Sequence, residues 1–234
     1  MFENGIWAGI TDILFVIAIA FVVGDFCATI FTILYQRFWY PKAIRPKYDD
    51  KFEPSCSLIV PCKGVSKDLK KNLQTFLNMD YPNYETVFVV ESESDKAVPV
   101  IREVIDGTNA KLAIAGLSVS CAQKNQNLLA AISQTNNPDV YVFADSDIGP
   151  TGNWLRELVL PLSDEKITAT SGFRWLHVKK GSMGELTHSY VNIFMYIMFC
   201  VACYFGGVGL WGGSMAIRKK DFDELGVAKK WSKT

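Results

Sequence analysis

"VYVFADSDIGP", Val140 to Pro150, decides the fold. An apolar, β-branched and aromatic run ends in two aspartates one residue apart, and Gly149 and Pro150 follow at once. A short apolar run closed by turn residues predicts a strand buried on both faces. Its carboxylates then stand at the strand tip, outside the core. Working outward, "CSLIVP" (Cys56 to Pro61), "ETVFVVES" (Glu85 to Ser92), "KLAIAGL" (Lys111 to Leu117) and "ITATSGF" (Ile167 to Phe173) predict further strands. Helices fill the gaps. Leu69, Leu73, Phe76 and Leu77 share one helical face, Ser66 is its expected cap, and "MDYPNY" ends it. Val98 to Ile105, Lys124 to Ser133 and Asn153 to Leu162 are also expected as helices. Strands separated by helices of this length predict right-handed crossovers and an α/β fold with a mostly parallel sheet flanked by helices.

Sheets of this kind bind ligands beyond the carboxyl ends of their strands. The polar residues fall there: "PCKG" after the first strand, "ESESD" after the second, "DSD" after the fourth. Lys63, Glu91, Glu93, Asp95, Asp145 and Asp147 are therefore expected to converge on one edge. Acids converging without a cation would repel one another. Asp145 and Asp147 are spaced to hold a hard divalent ion, Mg2+ or Mn2+, which shares its oxygen ligands with substrate phosphates. A solvated loop would also carry such a triplet; its place after an apolar strand favours the metal. Gly64 and Gly149 are expected to serve turn geometry, and neither a P-loop nor a dinucleotide glycine fingerprint is present.

Composition narrows the class. The 234 residues carry 24 basic and 24 acidic side chains, which argues against bulk attraction to nucleic acid. Hydrophobic residues make up 49% and the mean hydropathy is +0.13, which points to membrane contact. The six cysteines are irregularly placed and predict free thiols in a reducing compartment. Cys200 and Cys203 have a redox or zinc spacing but no second pair, and are expected to be packing residues.

"ILFVIAIAFVVGDFCATIFTIL", Ile13 to Leu34, is long enough to cross a bilayer and contains one charge, Asp25. The start lacks Lys and Arg, unlike a signal peptide. Residues 1–40 are expected to form a membrane anchor and 41–54 a linker to a domain over 55–234. Arg37, Lys42, Arg45 and Lys47 follow the span, so the domain is expected on the cytoplasmic side. A second apolar stretch, Tyr190 to Trp211, has basic residues on both flanks, Lys179 and Lys180 before it and Arg218, Lys219 and Lys220 after it. It is expected as a helix at the membrane surface or lining an acceptor pocket, in preference to a span. His177 and His188 are expected to be ordinary polar positions.

The run from Cys56 to Asp95, with "CAQKNQNLL", "ADSDI", "SGFRWL" and "WGGSMAIRK", resembles the ceramide glucosyltransferase-like glycosyltransferases and their bacterial relatives acting on hopanoids and other lipids. The resemblance covers nearly the whole chain and implies the nucleotide-sugar-binding GT-A fold. It implies that Asp95 contacts the nucleotide base and that Asp145 lies near the diphosphate and metal. Asp147 completes the Asp-x-Asp, although some members have glycine there. Lys63 matches the lysine near the nucleotide, and Lys124 a lysine suited to a phosphate. Trp211, Gly212, Gly213 and Ser214 match a segment lining the sugar and acceptor site; for the two glycines a tight turn is an equal alternative. The family continues after "WSKT" with an acidic pair supplying the catalytic base, then a Gln-x-x-Arg-Trp-like motif and further transmembrane helices. The base is therefore expected beyond Thr234, and Asp221, Asp223 and Glu224 are not promoted in its place. The expected activity is inverting transfer from a UDP-sugar, UDP-glucose or a similar UDP-hexose, to a lipid hydroxyl such as that of a ceramide or hopanoid. This chain alone is expected to bind donor weakly and turn over little. The alternatives are a non-catalytic nucleotide-sugar-binding membrane protein, part of a processive polysaccharide synthase, and a phosphohydrolase. The last usually carries its Asp-x-Asp on the first strand.

Overall fold

Strands form where the sequence is apolar on both faces. Val140–Ala144 is wholly buried, and so are all but the last residue of Cys56–Pro61. These two strands pair in parallel at the centre of a sheet in a computed structural model that describes residues 2–39, 48–49, 51–176, 178, 180–204 and 209–234. Residues 41–47 and 50 of the expected linker, His177, Lys179 and residues 205–208 lie outside the described residues. The chain divides into two units, one of residues 48–174 and 210–234, the other of residues 1–47 and 175–209.

The first unit runs β1 (Cys56–Pro61), α2 (Leu69–Leu77), β2 (Tyr84–Val90), α3 (Ala97–Ile105), β3 (Lys111–Ile114), α4 (Gln123–Ile132), β4 (Val140–Ala144) and α5 (Trp154–Val159). A 3-10 turn (Leu160–Ser163), β5 (Ala169–Ser171), β6 (Ser214–Arg218), α7 (Lys219–Glu224) and α8 (Val227–Trp231) complete it. The six strands lie in the order β3-β2-β1-β4-β6-β5. The first four pair in parallel; β6 is antiparallel to both β4 and β5. No strand is expected over Ser214–Arg218 from the sequence, and β6 is the main addition to the predicted sheet.

Alternation along each strand splits the core in two. Leu58, Val60, Phe88 and Val142 pack on one face with Leu73, Phe76, Ile101 and Leu155. Ile59, Val87, Val89 and Phe143 pack on the other with Leu128, Phe222 and, more peripherally, Trp231. The Phe143, Phe222 and Trp231 rings close that second layer, with centroids 5.5 Å apart in both edge-on contacts to Trp231. In α2 the buried Leu69, Leu73 and Phe76 confirm the predicted face. Ser66 does not cap it with its side chain: the helix begins at Leu69, whose N–H reaches the Ser66 carbonyl instead (3.2 Å).

The second unit contains α1 (Phe2–Leu34), followed by a π-helical turn (Tyr35–Trp39), and α6 (Met183–Tyr204). Gly9–Leu34, with mean hydropathy 2.6, is the one helix among the described residues long and apolar enough to cross a membrane. At 1.5 Å per residue it extends roughly 39 Å. The less exposed positions, Asp25, Ala28, Thr29 and Thr32, recur at helical spacing, and α6 packs on α1, with Phe21 and Phe194 stacked at 5.5 Å. The second apolar segment is displaced from its expected bounds. Its helix starts at Met183, and Trp211 belongs to the other unit. The thiols of Cys27, Cys56, Cys62 and Cys121 are free, as expected.

Candidate functional site

After β1 the chain winds to β2 and β3 on one side; after β4 it builds β6 and β5 on the other. The reversal leaves a crevice outside the carboxyl ends of β1 and β4, where ligands bind open α/β sheets. A cleft of about 410 Å³ lies there. Its walls are Pro61, Cys62 and Lys63 after β1, Glu91 after β2, Gln123, Lys124 and Asn127 on α4, and Asp145, Ser146 and Asp147 after β4. Two lysines therefore face three acids across the cleft.

Each predicted acid has a defined partner. Lys124 Nζ donates to Asp145 Oδ1 at 2.6 Å, and Arg174 Nη1 to Asp147 Oδ2 at 2.9 Å. Glu91 Oε2 lies 3.7 Å from Lys63 Nζ, whose side chain is 80% exposed. Glu93 is paired with Arg102. Asp95 Oδ1 accepts from Gly64 N–H (2.9 Å) and from Ala97 N–H (2.8 Å). Asp95 thus ties the start of α3 to the turn after β1, where Gly64 has φ +64°, a conformation suited to glycine. The expected convergence of all these acids is not what the structure shows. Among the described residues, no three His, Cys, Asp or Glu side chains come together as metal ligands. Glu91 shares the cleft with the β4 tip, while Glu93 and Asp95 are engaged by Arg102 and by backbone N–H groups outside its lining.

Asp145 and Asp147 remain as a pair of carboxylates in the cleft. That donor set does not make an all-protein cage. It fits a Mg2+ or Mn2+ ion held by one or two carboxylates and completed by substrate phosphate oxygens. The amino end of α4 borders the same cleft with Lys124, which suits an anion.

The segment before β6 closes over Asp145. Asp145 N–H donates to the Gly213 carbonyl at 3.1 Å, and Trp211 N–H to Ser171 Oγ at 2.9 Å. A Cβ on Gly213 would stand 2.5 Å from Asp145 Oδ2 and would collide with the Trp211 indole. Gly212 has open space around it. Ser214 departs from its expected place. It is buried, and its hydroxyl accepts from Trp154 Nε1 at 3.1 Å. As the first residue of β6 it shares a sheet face with Ala216, so alternation points it into the core.

Asp221, Asp223 and Glu224 follow β6, which runs away from the cleft: Ser214 pairs with Ala144 and Arg218 with Val140. Asp221 pairs with Arg218 and Asp223 with Lys219, consistent with a structural role. His188 is an exposed position on α6. Cys62, in the cleft wall, is no nucleophile at neutral pH. Burial, only partly offset by a hydrogen bond involving Ser146, pushes its thiol up to about 12. Sequence reasoning misses Arg174 and Trp154. Arg174 stands inside "SGFRWL", and only the ion pair with Asp147 reveals it.

A mostly parallel sheet with its cleft at a β4 Asp-x-Asp, closed by an antiparallel β6, defines a GT-A glycosyltransferase domain. The chain belongs to glycosyl transferase family 21, whose model matches residues 16–231. It is similar to ceramide glucosyltransferase 1 of Caenorhabditis elegans, 25% identical over 182 residues, 76% of this chain and 39% of the relative. Ceramide glucosyltransferase 3 of the same organism is 22% identical over 221 residues, 93% of this chain and 47% of the relative. The chain thus spans less than half the length of these curated relatives. Among solved structures, the mannosyltransferase PcManGT of Pyrobaculum calidifontis, in complex with GDP-Man and Mn2+, superposes with a TM-score of 0.59 at 18% identity. That match covers 90% of this chain and 58% of PcManGT, and shows the shared fold.

Proposed function

We propose that this domain binds a nucleotide-diphosphate sugar in the β1–β4 cleft and serves its transfer to a lipid hydroxyl. The observation that carries the reading is Asp145, set at the tip of the central strand by the Gly213 carbonyl and paired with Lys124 at the start of α4. Lys124 would turn to the donor diphosphate, helped by the amino end of α4. Asp145 and Asp147 would hold Mg2+ or Mn2+, which when bound neutralises charge developing on the departing phosphate oxygen. The Mn2+ named with PcManGT supports that assignment. Lys63 and Glu91 would border the nucleotide, with Asp95 fixing the turn that carries Lys63. Trp211 would stack on the sugar or its acceptor, over the turn formed by Gly212 and Gly213.

The relatives' names support a ceramide-like acceptor and a glucosyl group as the sugar; the donor proposed here is UDP-glucose or a similar UDP-hexose. The Gly9–Leu34 helix supports membrane attachment, with Arg37 and the basic residues after it on the cytoplasmic side. Attack by an acceptor hydroxyl requires a base. Asp221, Asp223 and Glu224 are not assigned that role, because they follow the end of β6 remote from Asp145.

Calorimetry on the detergent-solubilised chain tests the donor site. UDP-glucose is expected to bind with Mn2+ present and to lose that binding in Asp145→Ala. Absence of binding with any divalent ion, in a chain shown folded by circular dichroism, overturns the reading.

A further inference from the structure

The two cleft carboxylates at the β4 tip are each matched by one cation, drawn from distant parts of the sequence. Lys124 reaches Asp145 from 21 positions away, and Arg174 reaches Asp147 from 27. Both pairs are accessible: the Arg174 and Asp147 side chains are 44% and 57% exposed, those of Lys124 and Asp145 51% and 26%. Exposed ion pairs contribute little to stability and break easily. A planar guanidinium also matches phosphate as well as it matches carboxylate. Arg174 therefore occupies the Asp147 carboxylate that a metal would need, and it has a second use once displaced.

Resting on the donor-site reading above, we propose that Arg174 is a diphosphate-binding residue that guards Asp147, making metal and nucleotide enter the cleft together. Without ligand, the Asp145, Asp147, Lys124 and Arg174 charges cancel. A divalent ion arriving alone must displace two cations and leaves two positive charges uncompensated. A diphosphate arriving alone finds both cations engaged. When both arrive, the metal takes the carboxylates and the released Arg174 and Lys124 take phosphate oxygens, so the charges cancel again for the two negative charges of a nucleotide sugar's diphosphate. Metal and diphosphate binding are then positively coupled, each tightening the other by the same factor.

The test is Mn2+ binding to the full chain in detergent, read by the electron paramagnetic resonance signal of free Mn2+, with and without saturating UDP. UDP binding without metal is measured in parallel. In the wild type, UDP is expected to tighten Mn2+ by at least about tenfold, within the usual range of such couplings. In Arg174→Gln, Mn2+ alone should bind about two- to fivefold tighter, because an exposed competitor of that strength is gone. The factor by which UDP tightens Mn2+ should shrink. Arg174→Lys keeps the charge without the fork and should fall between. Asp145→Asn tests the site itself and should abolish Mn2+–UDP binding. If Asp145→Asn abolishes binding but Arg174→Gln leaves both Mn2+ affinity and coupling unchanged, the guard is refuted and the donor site stands. If the folded wild type binds no Mn2+–UDP, or Asp145→Asn has no effect, the donor-site reading falls and the guard with it.

Discussion

Gly212 and Gly213 are adjacent, both lie in the turn before β6, and neither has a positive φ, yet the structure gives them opposite tolerance to a methyl group. On Gly212 a Cβ meets nothing within 4 Å. On Gly213 it meets Asp145 Oδ2 at 2.5 Å and the Trp211 ring. Ordinary contact begins at 3.4 Å, so the carboxylate must withdraw by about 1 Å and the indole must also turn aside, the scale on which overpacking acts. Overpacking of this kind costs about 1–3 kcal/mol. If that cost falls on the donor-competent position of Asp145, UDP–Mn2+ affinity in Gly213→Ala drops roughly 5- to 150-fold. Gly212→Ala should match the wild type in affinity and melting temperature. Calorimetric titration with UDP and Mn2+, paired with a thermal melt, reads both quantities. Wild-type affinity together with a wild-type melting temperature in Gly213→Ala would refute the placement of Trp211 and Asp145 around this glycine. Equal damage from both substitutions would refute the steric reasoning.

Lys124→Met should weaken UDP–Mn2+ binding and make what remains less salt-sensitive, measured by titration at two ionic strengths. Glu85 accepts from Ser57 Oγ (2.6 Å), Lys111 Nζ (2.9 Å) and Asn136 N–H (2.6 Å). Burial alone would raise its carboxyl, but the Asn136, Ser57 and Lys111 hydrogen bonds outweigh it and hold the group below the usual value of 4.5. Its stabilisation is therefore present above that value and lost as pH falls. Glu85→Ala should cost about 2–3 kcal/mol at pH 7 in chemical denaturation, with a smaller difference in acid. Burial raises the thiols of Cys56 and Cys62 from 9.0 to about 12. Their contribution is whole below pH 9, and each thiol removes about 1.4 kcal/mol of stability per pH unit from there towards pH 12. Cys62→Ala should flatten the alkaline fall by about that amount per unit, whatever its effect at pH 7. For the anchor, an N-glycosylation acceptor fused ahead of Met1 should be modified in microsomes, and one fused after Thr234 should not.

The central sheet is legible because β1, β2 and β4 are buried on both faces and their sequences are nearly unbroken apolar runs. Period and composition say the same thing there. β6 escapes because "SMAIR" is short, mixed in polarity, and antiparallel, a direction that no crossover helix announces. The missed strand carries an error with it. Ser214 follows Trp211 and the two glycines in sequence and reads as a cleft residue with them. The first residue of a strand is already subject to alternation, however, and its hydroxyl is turned inward to Trp154. The expected cap on α2 fails for a similar reason. Ser66 is the right residue type, but the helix starts at Leu69, too late for its hydroxyl to serve.

Counting acids at strand ends locates the correct edge and overstates the metal site. Glu93 is satisfied by Arg102, nine positions along, and Asp95 by backbone N–H groups, one of them two positions away. Arg102 lies on the helix that follows directly, whereas the second donor to Asp95, Gly64 N–H, comes from the turn after β1. Asp145 and Asp147 differ because their partners come from α4 and from the strand-to-helix connection after β5, brought in only when the sheet closes. A carboxylate whose counter-cation must be imported across the fold is placed where that cation can be exchanged for another ligand. This distinction separates the cleft pair from Glu93; Glu91, whose Lys63 partner also comes from another strand end, shares the cleft with them. It also explains why Arg174 cannot be read from its neighbours in sequence: its relevance lies in reaching Asp147, and that distance is set by β5, β6 and β4 lying side by side.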